Sequence, residues 1–382
     1  MPLINHVYGG GGTPQLCAQV ENFKAIPGST ALSCSLSWEA PEPDEDSSFV
    51  GARIVRKAGS APEKVSDGTV VYEGTALSYT DTGLIDGTTY YYRAFAYNDK
   101  RKYQTAKKVV SLVAVEVNRT LNNNEWSAIK SVSDVGQGAN YWSIGDRKAV
   151  TLNGTVGKLS LSNYTVYAFI IGFNHNASVE GSNRIHFQLA KTALSGGTDV
   201  CFCDSQYGPD SGWSSPGAGY FVMNASGTNS GGWKSSQMRT NICGTSLSSY
   251  SGTFIAVIPD ELRAVLKSVT KYTDNTGYGT GSVASYITAT TDYFFLLSEF
   301  EVFGSITHGN TNEKNKQAQY AYYSAGNSKI KYKHNSTSAA ARWWLRSPRA
   351  SSSGRFVNVL TGGTVEHSGA NYSLGFAPCF CV

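Results

Sequence analysis

Apolar and polar residues alternate along the first third of this chain, and that alternation predicts its architecture. Leu32, Cys34, Leu36 and Trp38 fall on one face of 32–38, and further strand-like runs follow at Val50–Arg56 and Thr69–Tyr72. Thr89–Tyr97 alternates over nine residues, with turn signals Asp67-Gly68 and Asp86-Gly87 between the runs. A period of two broken by glycine turns predicts short strands on two packed sheets, so residues 15–117 read as an immunoglobulin-like β-sandwich.

After residue 117 the pattern changes. Asn118–Asn124 is a polar linker, and Glu125–Lys130 reads as the start of a short helix. Strand-like runs follow at Lys158–Leu161 and Thr165–Ile171. Leu262, Val265, Leu266 and Val269 recur at i, i+3, i+4 and i+7, which predicts a helix over Asp260–Val269 with Asp260 as its cap after Pro259. A second helix is expected within Glu313–Tyr323. Two helices among many short strands and long loops make 118–382 an α+β domain. At the other end, residues 1–14 close on Gly9–Gly12 and read as a flexible leader or docking peptide.

Composition narrows the function. Charged residues are only 16%, while the 41% hydrophobic content suffices for packed cores. A net charge of +4 with no dense basic stripe does not support a nucleic-acid footprint, and no nucleic-acid partner is expected. Lys329, Lys331 and Lys333 share one strand face, expected to be solvated and to discourage edge pairing; the basic strand Arg53–Lys57 is likewise expected to be solvated. No apolar run reaches about 18 residues, so no membrane insertion is expected. The start has no basic or apolar signal region, so the protein is expected to be made in the cytoplasm without a signal peptide and exposed by assembly into a particle.

Seven cysteines at irregular spacing do not form a disulfide framework and are expected to be reduced and buried. Cys201/Cys203 and Cys379/Cys381 put two thiols on one strand face each, but C-x-C on two strands is a weaker zinc pattern than paired C-x₂-C. No metal and no cofactor are expected. No Gly-x-Ser-x-Gly, His-Glu-x-x-His or Walker loop occurs, so no catalytic residue is assigned.

Trp38 with Ala40-Pro41, then Tyr79-Thr80-Asp81-Thr82-Gly83-Leu84 and Gly87-Thr88-Thr89-Tyr90-Tyr91-Tyr92-Arg93-Ala94, resemble a fibronectin type III domain. The resemblance implies that Trp38 fills the core and that Leu84 forms a corner with one of the following tyrosines. The end of the chain carries a second resemblance. Trp343-Trp344-Leu345-Arg346-Ser347-Pro348, the strand Phe356-Val357 and the closing Ala377-Pro378-Cys379-Phe380 resemble the C-terminal end of a family of phage and gut-bacterial proteins. That family is similar to the C-type-lectin-like fold of phage tropism determinants. Tyr141–Asp146, Ile170–Asn176, Gly231–Arg239 and Leu297–Gly304 extend the match in order.

The resemblance implies a β-rich, two-domain protein: the sandwich followed by a C-type-lectin-like domain at 118–382. Trp343, Trp344, Leu345, Phe356, Val357 and Phe380 become framework. Arg349, Ser351, Ser352, Arg355, Asn358, Thr361, His367, Asn371 and Tyr372 become ligand-facing, a set rich in the Tyr, Arg, Ser and Asn of binding surfaces. Sugar-binding tripeptides are absent and Glu366 stands alone in the tail, which argues against a Ca²⁺ site. His175 and Glu299 read as structural. The expected protein is a phage virion surface protein that binds a host-surface ligand, glycan or protein. Its N-terminal region docks to other virion proteins, and it assembles as a homo-oligomer, by analogy a trimer. The alternatives are a capsid decoration or head-fibre protein, and an enzyme on the formylglycine-generating scaffold.

Overall fold

The computed structural model describes residues 18–28, 30, 32–42, 49–104, 109–114, 117–210 and 219–382. The leader 1–14 and Cys17 lie outside them. The chain divides into two compact units, Met1–Val117 and Asn118–Val382.

The first unit strings together β1 (Glu21–Pro27), β2 (Cys34–Glu39), β3 (Gly51–Ala58), β4 (Thr69–Gly74), β5 (Ser78–Asp81), β6 (Thr89–Tyr97) and β7 (Val109–Val113). They form two antiparallel sheets, β1-β2-β5 and β4-β3-β6-β7. This three-on-four arrangement is a fibronectin type III-like sandwich. Cys34, Leu36 and Trp38 of β2 face Ile54, Tyr92 and Ala94 across one apolar core. Leu32 departs from the expected strand: its φ of 49° turns the chain, and the strand begins at Cys34. Leu84 is buried, and the Tyr90 hydroxyl accepts the Ile85 N–H at 3.3 Å, which forms the expected corner. The basic strand is not simply solvated. Arg53 pairs with Glu73, Lys57 with Asp67, and Arg56 holds both oxygens of the buried Asp81.

The second unit starts with a helix, Trp126–Asp134, whose Trp126 packs against Phe187 and Phe380. Next come β8 (Arg147–Val156), β9 (Leu159–Phe173), β10 (Ile185–Lys191) and β11 (Val200–Cys201). The two expected runs at 158–171 are thus one 15-residue strand. Then follow β12 (Val269–Asp274), β13 (Ile287–Asp292), β14 (Phe294–Phe295), β15 (Lys331–Lys333) and β16 (Ser336–Ala341). The last four are β17 (Trp343–Pro348), β18 (Arg355–Val359), β19 (Val365–Gly369) and β20 (Cys379–Cys381). The main sheet runs β14-β20-β10-β9-β8, so the end of the chain lies inside it, between strands from much earlier segments. A separate sheet, β17-β18-β19, carries the tail.

Three expectations are corrected here. The helix at 260–269 stops after one turn, Asp260–Arg263, with Pro259 rather than Asp260 at its cap. Leu262, Val265, Leu266 and Val269 are all buried, but Lys267 donates its N–H to the Cys381 carbonyl and Val269 opens β12. Sheet pairing overrode the helical period. Glu313–Tyr323 is not one helix either: it holds the end of a 3₁₀ turn, Thr311–Asn315, and a helical turn at Ala321–Ser324. The lysine strand is neither a free edge nor a solvated face. β15 is paired on both sides, and buried Lys331 lays its ammonium over the Phe169 and Trp343 rings.

Candidate functional site

The tail sheet rests on a buried polar frame. Trp343 and Trp344 donate their indole N–H groups to the Lys329 and Phe221 carbonyls, at 2.9 and 3.0 Å. Between them and the surface loop stands Arg346, fully buried. Its guanidinium donates to Thr273 Oγ1 at 2.7 Å, to the Leu296 carbonyl at 2.8 Å and to both Glu301 oxygens. Glu301 is also the third residue of a capping box, with Ser298, at the start of the helix Glu299–Phe303. The same carboxylate takes Lys271 Nζ at 3.0 Å, and Lys271 reaches Glu180 at 2.6 Å and the Tyr320 hydroxyl at 2.8 Å. Burial alone raises the Glu301 carboxyl, but Arg346 and Lys271 outweigh it and hold it well below the usual carboxylate range. Glu180, more weakly paired, is pushed up by its burial.

His175, Glu180 and Glu301 bring donor atoms close enough to share an ion. The Lys271 ammonium already bridges both carboxylates, so the cation of this cluster is built into the chain. His175 stacks on Tyr320 at 3.7 Å, and burial lowers its pKa to about 3. It is a neutral core histidine, as its structural reading expected.

Above this frame the loop 349–354 joins β17 to β18. Its backbone is pinned from below by Asn229, which is fully buried. The Asn229 side chain donates to the carbonyls of Arg349 (3.3 Å), Ser352 (2.6 Å) and Arg355 (2.9 Å), while its Oδ1 accepts the Tyr278 N–H at 2.7 Å. Ala350 adds two bonds, accepting from Gly281 N–H and donating to the His308 carbonyl. A Cβ on Gly354 would lie 2.7 Å from the Gly227 carbonyl, so glycine permits this close approach. The loop is therefore held from several segments while Ser351 and Arg355 stay exposed.

Arg349, Ser351, Ser352, Arg355, Asn371 and Tyr372 lie at this end of the tail sheet, with His367 on β19 beside Arg355. Two expected residues do not join them. Asn358 is fully buried, its amide donating to Ser368 Oγ at 2.8 Å. It cannot face a ligand, because β18 is covered on both sides: Phe356, Val357, Asn358 and Val359 are all buried. Thr361 sits in the turn at the opposite end of the β18–β19 hairpin, roughly 13 Å away along a five-residue strand. The framework residues Trp343, Trp344, Leu345, Phe356, Val357 and Phe380 are all fully buried.

Reading the sequence missed four residues of this face. Tyr278, flanked by glycines, is 62% exposed with φ of 66°, an uncommon backbone for tyrosine, held by its bond to Asn229. Asn229 itself lies in a Thr-Asn-Ser-Gly-Gly run indistinguishable from any turn. His308 and Glu366 complete the group. The Glu299 carboxylate accepts backbone N–H groups from Thr307, His308 and Gly309, so Glu299 shapes the His308 loop. His308 and His367 meet edge to face at 4.8 Å, with Glu366 beside them. Burial first, then Arg349, lowers the His367 pKa.

The cysteine pairs do not build a shared centre. Cys201 and Cys203 Sγ lie 4.0 Å apart, and among the described residues no cluster of potential metal ligands contains a cysteine. Burial pushes Cys379 and Cys381 up, the latter to about 12.

Comparison with known proteins adds one family. Residues 220–382 match a domain of unknown function, DUF6273. No curated protein matches the chain. Among solved structures, the chicken CNTN1 FN1-FN3 domains share 16% identity over 26% of this chain and 32% of theirs, with a TM-score of 0.22. This chain thus spans about a third of that one's length. The sixth fibronectin type III domain of human fibronectin type III domain containing protein 3 shares 23% identity over 29% of this chain and 93% of its own, with a TM-score of 0.22. A structure described as a myokine shares 16% identity over 26% of this chain and 98% of its own, with a TM-score of 0.21.

Proposed function

We propose that this chain is a phage virion surface protein that binds a host-surface ligand through its C-terminal unit, which we read as C-type-lectin-like. The recognition face is the surface around loop 349–354, with Tyr278, Arg355, His367 and Tyr372 as its contact residues. One observation carries this reading: an exposed polar loop whose backbone is anchored by a fully buried asparagine. A backbone ordered before binding loses little entropy on contact, which favours affinity from a small patch. The exposed tyrosine beside it offers a rigid apolar and polar contact. The fibronectin-like unit and the leader dock the protein to other virion components. Several copies, as in a homotrimer, multiply weak single sites into avidity. Contact rather than catalysis is the mechanism; buried thiols pushed up by burial are poor nucleophiles, which favours this over the formylglycine-generating alternative.

The test is binding of the full chain to intact candidate host cells, beside a variant with Tyr278, Arg355 and Tyr372 all changed to Ala. Saturable binding that falls at least about tenfold in a variant of unchanged melting temperature is the expected result. Equal binding by both, or none by either, transfers the protein to the decoration or head-fibre class.

A further inference from the structure

The recognition face contains a group of side chains that contact with a ligand does not require. His308, Glu366 and His367 come from two different segments, and their donor atoms all lie within 4.8 Å of one another. Glu366 Oε1 is 3.2 Å from His367 Nε2 and 4.0 Å from His308 Nε2. Four-coordinate zinc with bonds near 2.1 Å sets its donors roughly 3.4 Å apart, so one pair already fits and another needs to close by about half an ångström. We propose that these three residues form a site for a divalent transition-metal ion, of the zinc class, with its fourth position open to solvent on the recognition face.

Donor chemistry agrees: two imidazoles and one carboxylate suit zinc and its neighbours rather than calcium, which takes six or more oxygens. Both segments are anchored. Glu299 grips the backbone of the His308 loop, the His308 carbonyl accepts from Ala350, and β19 is paired along its length with β18. The three side chains are 21%, 39% and 13% exposed, open to an entering ion yet partly shielded from water. The backbone that carries the two histidines and the glutamate thus has little ordering left to lose on binding.

One neighbour competes. Arg355 Nη1 lies 3.1 Å from His367 Nδ1, and a guanidinium can only donate, so it places the ring proton on Nε2, the atom nearest Glu366. A metal on Nε2 needs that proton on Nδ1 and Arg355 turned away; a metal on Nδ1 needs Arg355 displaced. Arg355 is exposed, and solvent can replace its bond to His367, so it acts as a brake on affinity rather than a block. Removing it therefore strengthens metal binding, an effect a merely structural histidine pair does not produce.

The experiment is a calorimetric titration of the full chain with Zn²⁺ after chelator treatment, beside His308→Ala, His367→Ala and Arg355→Ala. One equivalent is expected, with affinity falling at least about tenfold in each histidine variant and rising severalfold in the arginine variant. Co²⁺ loading gives a second readout: visible absorption without a thiolate charge-transfer band, since no cysteine takes part. No saturable uptake up to ~1 mM zinc overturns the proposal. So does uptake unchanged in the histidine variants, or a thiolate band with Co²⁺, which assigns the metal to cysteine. These readouts do not depend on cell binding, so this site stands or falls separately from the recognition reading.

Discussion

The two units handle charge in opposite ways. In the sandwich, Arg53 and Glu73 are about a quarter exposed, the clustered core is built of apolar and aromatic side chains, and the buried Asp81 is satisfied by Arg56 and Tyr92. In the second unit Lys271, Arg346 and Glu301 are fully buried, and together with Glu180 they form one connected network. A sandwich of short strands closes its core with alternating side chains. The second unit has irregular segments to hold in place, and long charged side chains that bond several of them at once serve that purpose. Glu301 alone links a helix start, β12 and β17.

The largest expected effect tests the buried network. Glu301→Ala leaves two cations without their shared partner and is expected to cost about 3–5 kcal/mol, read as a lower urea midpoint. A loss below about 1 kcal/mol would erase the contrast between the units.

Next comes a pH effect confined to the second unit. Burial pushes the Glu313 carboxyl up from 4.5 to about 7, against bonds from Ser347 and Asp274. The folded state then holds a proton that the unfolded chain releases. Stability is full below the unfolded pKa and falls as pH rises through the window to about 7, by up to about 3 kcal/mol. Urea midpoints at pH 5 and pH 8 should therefore differ, and Glu313→Gln should flatten the difference by stabilising the protein at pH 8. An undiminished slope in that variant assigns the effect elsewhere, Glu180 and Asp204 also being carboxyls that burial raises.

Asn229→Ala sharpens the comparison at the surface. It removes the donor to three loop carbonyls and the acceptor for Tyr278 N–H, for an expected loss of about 2 kcal/mol. Hydrogen exchange over 349–355 should accelerate even at temperatures where the rest of the unit stays folded. Smallest is Arg53→Ala in the sandwich, expected to change stability by less than about 1 kcal/mol because its ion pair with Glu73 is partly solvated.

Much of the first unit was legible in the sequence, and the reason is physical. Where a sandwich strand has one face on the core, burial follows the alternation of its own side chains: β2 reads buried, half-buried, buried, exposed, buried, exposed. The trailing motif was legible as framework because tryptophans and phenylalanines have few places but a core. What a stretch of sequence does not encode is a partner far along the chain. Asp260–Val269 has a sound helical period, yet a strand 114 residues after Lys267 takes its N–H. Lys331 reads as a solvated charge until the Phe169 and Trp343 rings surround it, and nothing local marks Lys271 as the partner of two distant carboxylates.

The candidate face follows the same division. The sequence by itself determined that the tail is a rigid apolar frame interleaved with Arg, Ser, Asn and Tyr. Only the tertiary structure decided which of those face outward. β18 is covered on both sides, so alternation carried no information there and Asn358 turned inward. Tyr278, His308 and Asn229 reach the face from segments about 40 to 120 residues earlier, drawn in by hydrogen bonds to backbone groups that every residue but proline possesses alike. A bond between one side chain and another residue's backbone leaves no mark on the identity of that residue, which is why only the folded chain shows it.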